Sequence, residues 1–422
     1  MSRVSIEGPV AGALWEVLAA AENAAPVDAV EAVTAQLVAS LGATSASFLV
    51  ADLSGRAFVR LAHVPAGPAP GTRLRDQEAA TALPFDGGPQ EQAVRSQRIQ
   101  VHPRQGSQVV IAPVTERGEA IGLLEITLPA DPDEVALDAI AKGAHALAFV
   151  VIAARRHTDL FEWGQRTTPF SLAAEIQRRL LPSAFTCEAS AFALSAWLEP
   201  SASIAGDTFD YSLARDTLSM SITDAMGHGV NSALLATLGV SSLRNSRRQG
   251  LSLTDQASYA NQALSTNPPG GFGFVTGLLA QLDLRTGVLA MVNAGHVLPL
   301  LVRDGTVESV ILPVNRPFGM IREEIYRATE VRLRAGDRLV LLTDGMLERR
   351  AAALDLTTRL RELTGTHPRE VVRALADAAL EVAGPVLSDD ASLLVLDWYD
   401  GHEGPRSTRS GADPDRASTP VE

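Results

Sequence analysis

The sequence predicts an α/β protein built as two domains joined by helices. Length is the first observation behind that prediction: 422 residues at 46% apolar content exceed one ordinary core. The second is texture. Residues 10–155 mix helical and hairpin patterns, whereas residues 188–400 read as strands and hairpins with two or three helices between them. The third is the stretch between, residues 156–187, which carries helical spacing and a proline stop. Residues 401–422 are polar and rich in Pro, Gly and Ser, and are expected to be a disordered tail. No internal repeat is visible.

In order along the chain, "PVDAVEAVTAQLVASLG" places Val30, Val33, Leu37 and Leu41 at helical spacing before the stop at Gly42. "SASFLVADLSGRAFVRLAHV" reads as a hairpin about Ser54-Gly55, and "SQVVIAPVTERGEAIGLLEITL" as a second about Arg117-Gly118. Asp131, Pro132 and Glu134 mark a helix start, by an acid cap, proline at the first position and a glutamate three on. From there the pattern allows one helix of about seven turns or more. In "LAAEIQRRLLP", Leu172, Ile176 and Leu180 fall on one face and Pro182 stops the helix. Such a stripe suits a connector that pairs in a homodimer. The alternative is that these helices pack only on their own domains. Further on, "DTLSMSITD", "GDRLVLLTDG" and "DDASLLVLDW" are strands. "NSALLATLGVSSLRNSRR" and "LTDQASYANQALST" are helices, and "GLLAQLDLRTGVLAMVNAGH" is a hairpin turning at its "RTG".

The totals narrow the function. Lys+Arg is 36 against Asp+Glu 49, a net charge of -13, so nucleic acid is not an expected partner. The single cysteine, Cys187, excludes an internal disulfide and any multi-cysteine metal cluster, and fits a reducing cytoplasm. Cys187 reads as a small buried hydrophobe. The N-terminus lacks the order of a signal peptide. "AHALAFVVIAA" is about half a membrane span, carries His145, and reads as a buried helix face, so no membrane association is expected.

Several acids share a setting. Asp207 lies in "AGDTFDY", Asp224 ends the strand of "SITDAMGHG", Asp344 ends that of "RLVLLTDGM", and Asp389 and Asp390 start that of "SDDASLLVL". One such aspartate is usually a turn or cap residue. A set of them at matching strand ends would repel strongly unless a cation neutralised it, and hard oxygen donors favour magnesium or manganese.

The motifs "EPSASIAGDTFDY", "TDAMGHG", "VNAGHVLPLL", "LTDGMLE" and "SDDASLLVL" stand in the order found in the SpoIIE-type branch of the metal-dependent protein phosphatases, the PP2C superfamily. The segment "LAAEIQRRLLP" resembles the one preceding such domains in regulators of the RsbU type. The resemblance covers about half the chain, to Tyr399. By pattern alone, residues 10–155 resemble a GAF sensor domain.

The resemblance implies a C-terminal αββα sandwich with two metal ions, Mn2+ or Mg2+, at one end of its sheets. Asp224 would bridge both ions and the carbonyl of Ala225 would serve one. Asp207 would ligate one ion, Asp344 and Asp389 the other, with Asp390 in support or on a further ion. Gly227 and Gly229 would let the chain turn beside the ions without a β-carbon clash. The implied chemistry is attack of a metal-activated water in line on phosphorus, without a phosphoenzyme. The implied activity is that of a serine/threonine phosphoprotein phosphatase. Its implied substrate is a phosphorylated STAS-domain anti-sigma-factor antagonist.

His228 is a candidate general acid, weighed against helix capping or turn packing. His296, in "NAGH", is expected to shape the site rather than react. The chain departs from the family by Ala205 in place of a second glycine before Asp207, and by "DDAS" for the commoner threonine version. A GAF-like domain could take a small ligand near "LPFDGGPQEQAVRSQRIQVHP", or serve only as a dimerising spacer. His63, His102 and His145 read as structural or surface residues rather than haem ligands. Two other functions stand beside it: a poorly active phosphatase-like regulator acting by partner binding, and a nucleotide-binding regulator. The latter would need a "GxxxxGK" loop, which the sequence lacks.

Overall fold

The computed structural model describes residues 9–52, 55–66, 82–166, 170–199, 206–347, 355–383, 389–400, 408, 410–413 and 416. Ser54 and Ala205, both singled out above, lie outside the described residues. The chain divides into two compact units. One comprises Met1–Pro169 with Ser407–Glu422, the other Phe170–Arg406.

The first unit is one antiparallel six-stranded sheet between helices. Its elements are α1 (Pro9–Asn23), α2 (Ala29–Leu41), β1 (Ser45–Ala51), β2 (Ala57–Pro65), β3 (Ala82–Pro84) and α3 (Pro89–Ser96). They continue with β4 (Gln100–Arg104), β5 (Ser107–Glu116), β6 (Glu119–Leu128), α4 (Glu134–Ala154) and α5 (Leu160–Gly164). The strand order is β3-β2-β1-β6-β5-β4, and both expected hairpins form. Successive side chains of a strand face opposite ways. Phe48 and Val50 therefore enter the core under α2 and α4, while Leu49 joins Phe58 and Ile111 under α3.

Two expectations for the fourth helix need correction. Its cap is Asp133, whose Oδ1 accepts from the backbone N–H of Ala136 at 2.8 Å, so the helix starts at Glu134. Asp131 instead accepts from the Gln108 side chain. The helix also ends at Ala154, about six turns long. This is the one described helix whose length and composition would suffice to cross a membrane. Ile140, Ala144, Leu147 and Val151 bury one of its faces in the first unit's core.

The second unit opens with α6 (Leu172–Leu180), β7 (Thr186–Glu188), β8 (Phe192–Glu199), β9 (Asp207–Leu213) and β10 (Thr217–Ala225). Then come α7 (Gly229–Arg248), α8 (Leu253–Thr266), β11 (Val275–Asp283), β12 (Val288–Ala294), β13 (Leu300–Arg303), β14 (Thr306–Ser309), β15 (Val314–Asn315) and β16 (Ala328–Arg332). It closes with β17 (Arg338–Leu342), α9 (Leu356–Glu362), α10 (Pro368–Ala383) and β18 (Ala391–Trp398). Two six-stranded sheets form. One runs β15-β12-β11-β10-β9 with β16 on β12, the other β14-β13-β17-β18-β8-β7. Apolar residues on both strand faces explain the layering. Leu339, Leu341, Leu394 and Leu396 meet Phe209, Met220 and Leu278 between the sheets. Val340, Leu342, Leu393 and Val395 face α9 and α10 on one outer side. Leu279 and Val292 face α7 and α8 on the other. Cys187 is buried in the inter-sheet core.

The stripe on α6 is turned from the expected one. Leu172 is 66% exposed, and the buried face is Ala173, Ala174, Gln177 and Leu180. Ser171 caps this helix by accepting from Ala174 N–H at 3.2 Å.

The tail also departs from expectation at the residues described. The carbonyl of Gly411 accepts from Gly118 N–H at 2.9 Å, and Ala412 is 2% exposed.

Candidate metal centre

Strand pairing brings the acids together. Asp207 starts β9 and Asp224 lies near the end of β10, directly opposite in the antiparallel register. Asp344 follows β17, while Asp389 and Asp390 precede β18, its antiparallel neighbour. The two sheets thus present their acids at one rim.

Close packing holds the two halves in place. A Cβ on Gly345 would meet the Asp390 carbonyl at 1.9 Å, so only glycine lets the Asp344 turn lie against the Asp389-Asp390 turn. A Cβ on Gly206 would meet the Ala225 carbonyl at 2.5 Å and Asp224 Oδ1 at 3.3 Å. Gly227 and Gly229 are needed for a different reason from the one expected. Their φ angles are +95° and +71°, but a Cβ on either would meet nothing within 4 Å. Their requirement is backbone conformation.

Residues outside the acidic motifs complete the scaffold. Asp390 Oδ2 accepts from Gly206 N–H at 3.0 Å and from Gln177 Nε2 at 2.6 Å. Gln177 also donates to the Asp207 carbonyl at 2.8 Å. Thr343 Oγ1 donates to Asp207 Oδ2 at 2.6 Å and accepts from Ser392 N–H at 2.9 Å. Ser232 on α7 donates to the Ala225 carbonyl at 2.9 Å. Gln177, Thr343 and Ser232 were not singled out in the sequence. The available signal was a polar residue on an apolar helix face for Gln177, and adjacency to Asp344 for Thr343.

The electrostatics are those of crowded carboxylates. Burial, then the charges of Asp344, Asp389 and Asp390, push Asp224 up to about 7. Burial, then the charges of Asp224 and Asp390, raise Asp207 well above the carboxylate range, against the hydrogen bond from Thr343. Asp344 is exposed and Asp389 half-buried, its Oδ1 accepting from Asp390 N–H at 2.9 Å. The donor chemistry, all oxygen with excess negative charge, fits a hard divalent cation. Among the described residues, however, no group of three or more Asp, Glu, His or Cys side chains is already arranged to hold a metal ion.

His228 stands at the α7 N-cap position but is exposed and makes no side-chain cap hydrogen bond, so the capping expectation is not met. His296 is buried between the sheets. Its Nδ1 lies 2.9 Å from Thr276 Oγ1, and Thr276 pairs with Asp224 across β10 and β11. Asn293 clamps the His296 backbone, accepting from its N–H at 2.8 Å and donating to its carbonyl at 2.9 Å. Burial lowers His296 to about 4, so it is a neutral ring near neutral pH.

Residues 214–399 match the family described as Stage II sporulation protein E (SpoIIE). This stretch is a SpoIIE-family domain. Among curated relatives, the phosphoserine phosphatase RsbP of Bacillus subtilis (strain 168) is 23% identical over 191 residues, 44% of this chain and 46% of RsbP. The phosphoserine phosphatase RsbU of the same organism is 22% identical over 237 residues, 53% of this chain and 68% of RsbU. The chain thus spans about half the length of RsbP. Among solved structures, the SpoIIE phosphatase domain of Bacillus subtilis has a TM-score of 0.40 at 19% identity, covering 52% of this chain and 96% of that one. Asp224, Asp344 and Asp389 fall inside the matched SpoIIE stretch, and Asp207 lies seven residues before it.

Proposed function

We propose that this chain is a metal-dependent serine/threonine phosphoprotein phosphatase. Its substrate is a phosphorylated STAS-domain anti-sigma-factor antagonist, and its setting is cytoplasmic signalling. The observation that carries this reading is the meeting of Asp207, Asp224, Asp344, Asp389 and Asp390 at one rim of two sheets. Kinship with two phosphoserine phosphatases supports the reaction class.

In this reading Asp224, the Ala225 carbonyl, Asp207, Asp344 and Asp389 hold two ions, manganese or magnesium. Two such ions supply positive charge for the phosphoryl oxygens and an acidified water. The chain's own residues prepare the place. Thr343 orients Asp207, and Asp390 fixes the loop at Gly206. The N-terminus of α7, four residues beyond the Ala225 carbonyl, adds a positive dipole end that favours a phosphate.

The first unit is read as a GAF-like sensor that controls the phosphatase. Support comes from its sheet, helix-covered on both faces, and from a cavity of about 180 Å³ lined by Phe58, Leu83, Phe85, Gln90 and Glu91. A small ligand in that cavity is part of the proposal. A homodimer through the connector helices is part of the same proposal, supported by the exposed Leu172 on α6. Deleting residues 1–165 is expected to change the rate of phosphate release from a phosphoserine STAS-domain protein. An unchanged rate would count against control by the first unit.

A second reading is a phosphatase-like regulator that binds its partner and turns over poorly. Binding of the phosphoprotein with no phosphate release in either metal would select it.

A further inference from the structure

The chain leaves the first unit at Pro169, builds the second from Phe170 to Arg406, and returns to the first with Ser407–Glu422. The returning segment has a defined seat. The Gly411 carbonyl accepts from Gly118 N–H, at the turn between β5 and β6, at 2.9 Å. Gly411 N–H donates to Thr408 Oγ1 at 3.0 Å, and Arg416 N–H donates to the Asp413 carbonyl at 3.2 Å, closing a turn after the contact. Ala412 and Asp413 are 2% and 7% exposed, values of interior residues rather than of a free tail.

The fit at Gly411 is specific. Its φ is +94°, and a Cβ there would meet the Thr115 carbonyl oxygen at 2.0 Å and His145 Nδ1 at 2.8 Å. His145 Nδ1 lies 2.9 Å from that same Thr115 oxygen, and its ring packs edge-on to Phe149 at 5.0 Å. Gly411 therefore sits on the contact that joins α4 to β5. Both the backbone angle and the space exclude any side chain.

We propose that the described residues 408, 410–413 and 416 form an intramolecular docking segment for the first unit, seated through Gly411 on the β5–β6 turn and His145. The second unit is then joined to the first by two chain crossings, one at each of its ends. The described residues around Gly411 act as a strap instead of a free tail.

The test is hydrogen exchange on the full-length chain and its Gly411→Val variant. The Gly118 amide lies in a hairpin turn and donates to Gly411, so its exchange reports on that contact. It is expected to exchange at least tenfold faster in G411V, while the Leu124 amide, in the middle of the sheet, is unchanged. A synthetic peptide of residues 407–422 added to G411V is expected to restore the protection, and the same peptide carrying G411V is not. Equal Gly118 exchange in the two proteins would overturn the proposal. So would equal acceleration at Leu124, which would make the segment part of the first unit's core fold rather than a docked strap.

Discussion

Gln177 donates its Nε2 to Asp390 Oδ2 at 2.6 Å across 213 residues of sequence. One amide on α6 thus holds both the carboxylate that fixes the Gly206 turn and, at 2.8 Å, the carbonyl of Asp207. Removing the partner of a buried carboxylate leaves its charge less compensated. Gln177→Leu is expected to leave the fold intact by circular dichroism. Manganese affinity, read by titration calorimetry, should fall about tenfold or more, as for other groups that orient metal ligands.

The raised Asp224 gives a pH dependence with a definite sign. In the cation-free chain the folded state holds its proton up to about 7, against about 3.9 when unfolded. This contribution to stability is present below about pH 3.9 and is lost as pH rises through about 7. Melting of the chelated protein should therefore show a destabilising component between pH 4 and 7. Asp224→Asn removes it, and added manganese offsets it most at the upper end of that range.

His296 acts in the opposite direction. Its folded value, about 4, lies below the ordinary 6.5, so its contribution is complete above pH 6.5 and is lost as pH falls towards 4. The full loss is on the order of 3 kcal/mol. Comparing melting of wild type and His296→Gln from pH 7 to 4 isolates this slope. The variant's melting temperature is expected to be flatter over that range.

Gly345 carries the closest approach in the site. Gly345→Ala places a methyl 1.9 Å from the Asp390 carbonyl oxygen, so the Asp344 and Asp389 turns must separate. The expected result is loss of metal binding with a melting temperature lowered by a few degrees, read by calorimetry on one sample.

Arg338 tests the scaffold away from the rim. It is 5% exposed, with Nε 2.6 Å from Asp397 Oδ1 across β17 and β18 and Nη1 2.9 Å from the Leu363 carbonyl. Removing one partner of such a buried pair costs about 3–5 kcal/mol. Urea unfolding of Arg338→Ala should show a loss of that order, whereas Arg359→Ala, whose ion pair is exposed, should lose less than about 1 kcal/mol.

The strands that carry acids were legible because alternation and terminal aspartates are local properties. "DTLSMSITD" and "DDASLLVLDW" name β10 and β18 almost to the residue. What escaped depends on distant contacts. Asp133 rather than Asp131 caps α4, and Asp131 is engaged instead by Gln108 of β5. The α6 stripe turned because its buried side meets α7 and the acidic rim, where Gln177 is used as a donor. No local pattern says that Gly345 must touch Asp390 or that Gly411 must touch Thr115. The same composition that suggested a free tail also supplies the glycine its docking needs.

The most direct measurement is phosphate release from a phosphoserine STAS-domain protein, with manganese, with magnesium and with chelator. Asp224→Ala and Asp344→Ala would run beside the full-length chain. The account expects metal-dependent turnover that chelator abolishes and that both substitutions reduce by at least a hundredfold. Turnover that persists in chelator, or that survives both substitutions, would contradict the assignment of the acidic rim as the catalytic metal centre.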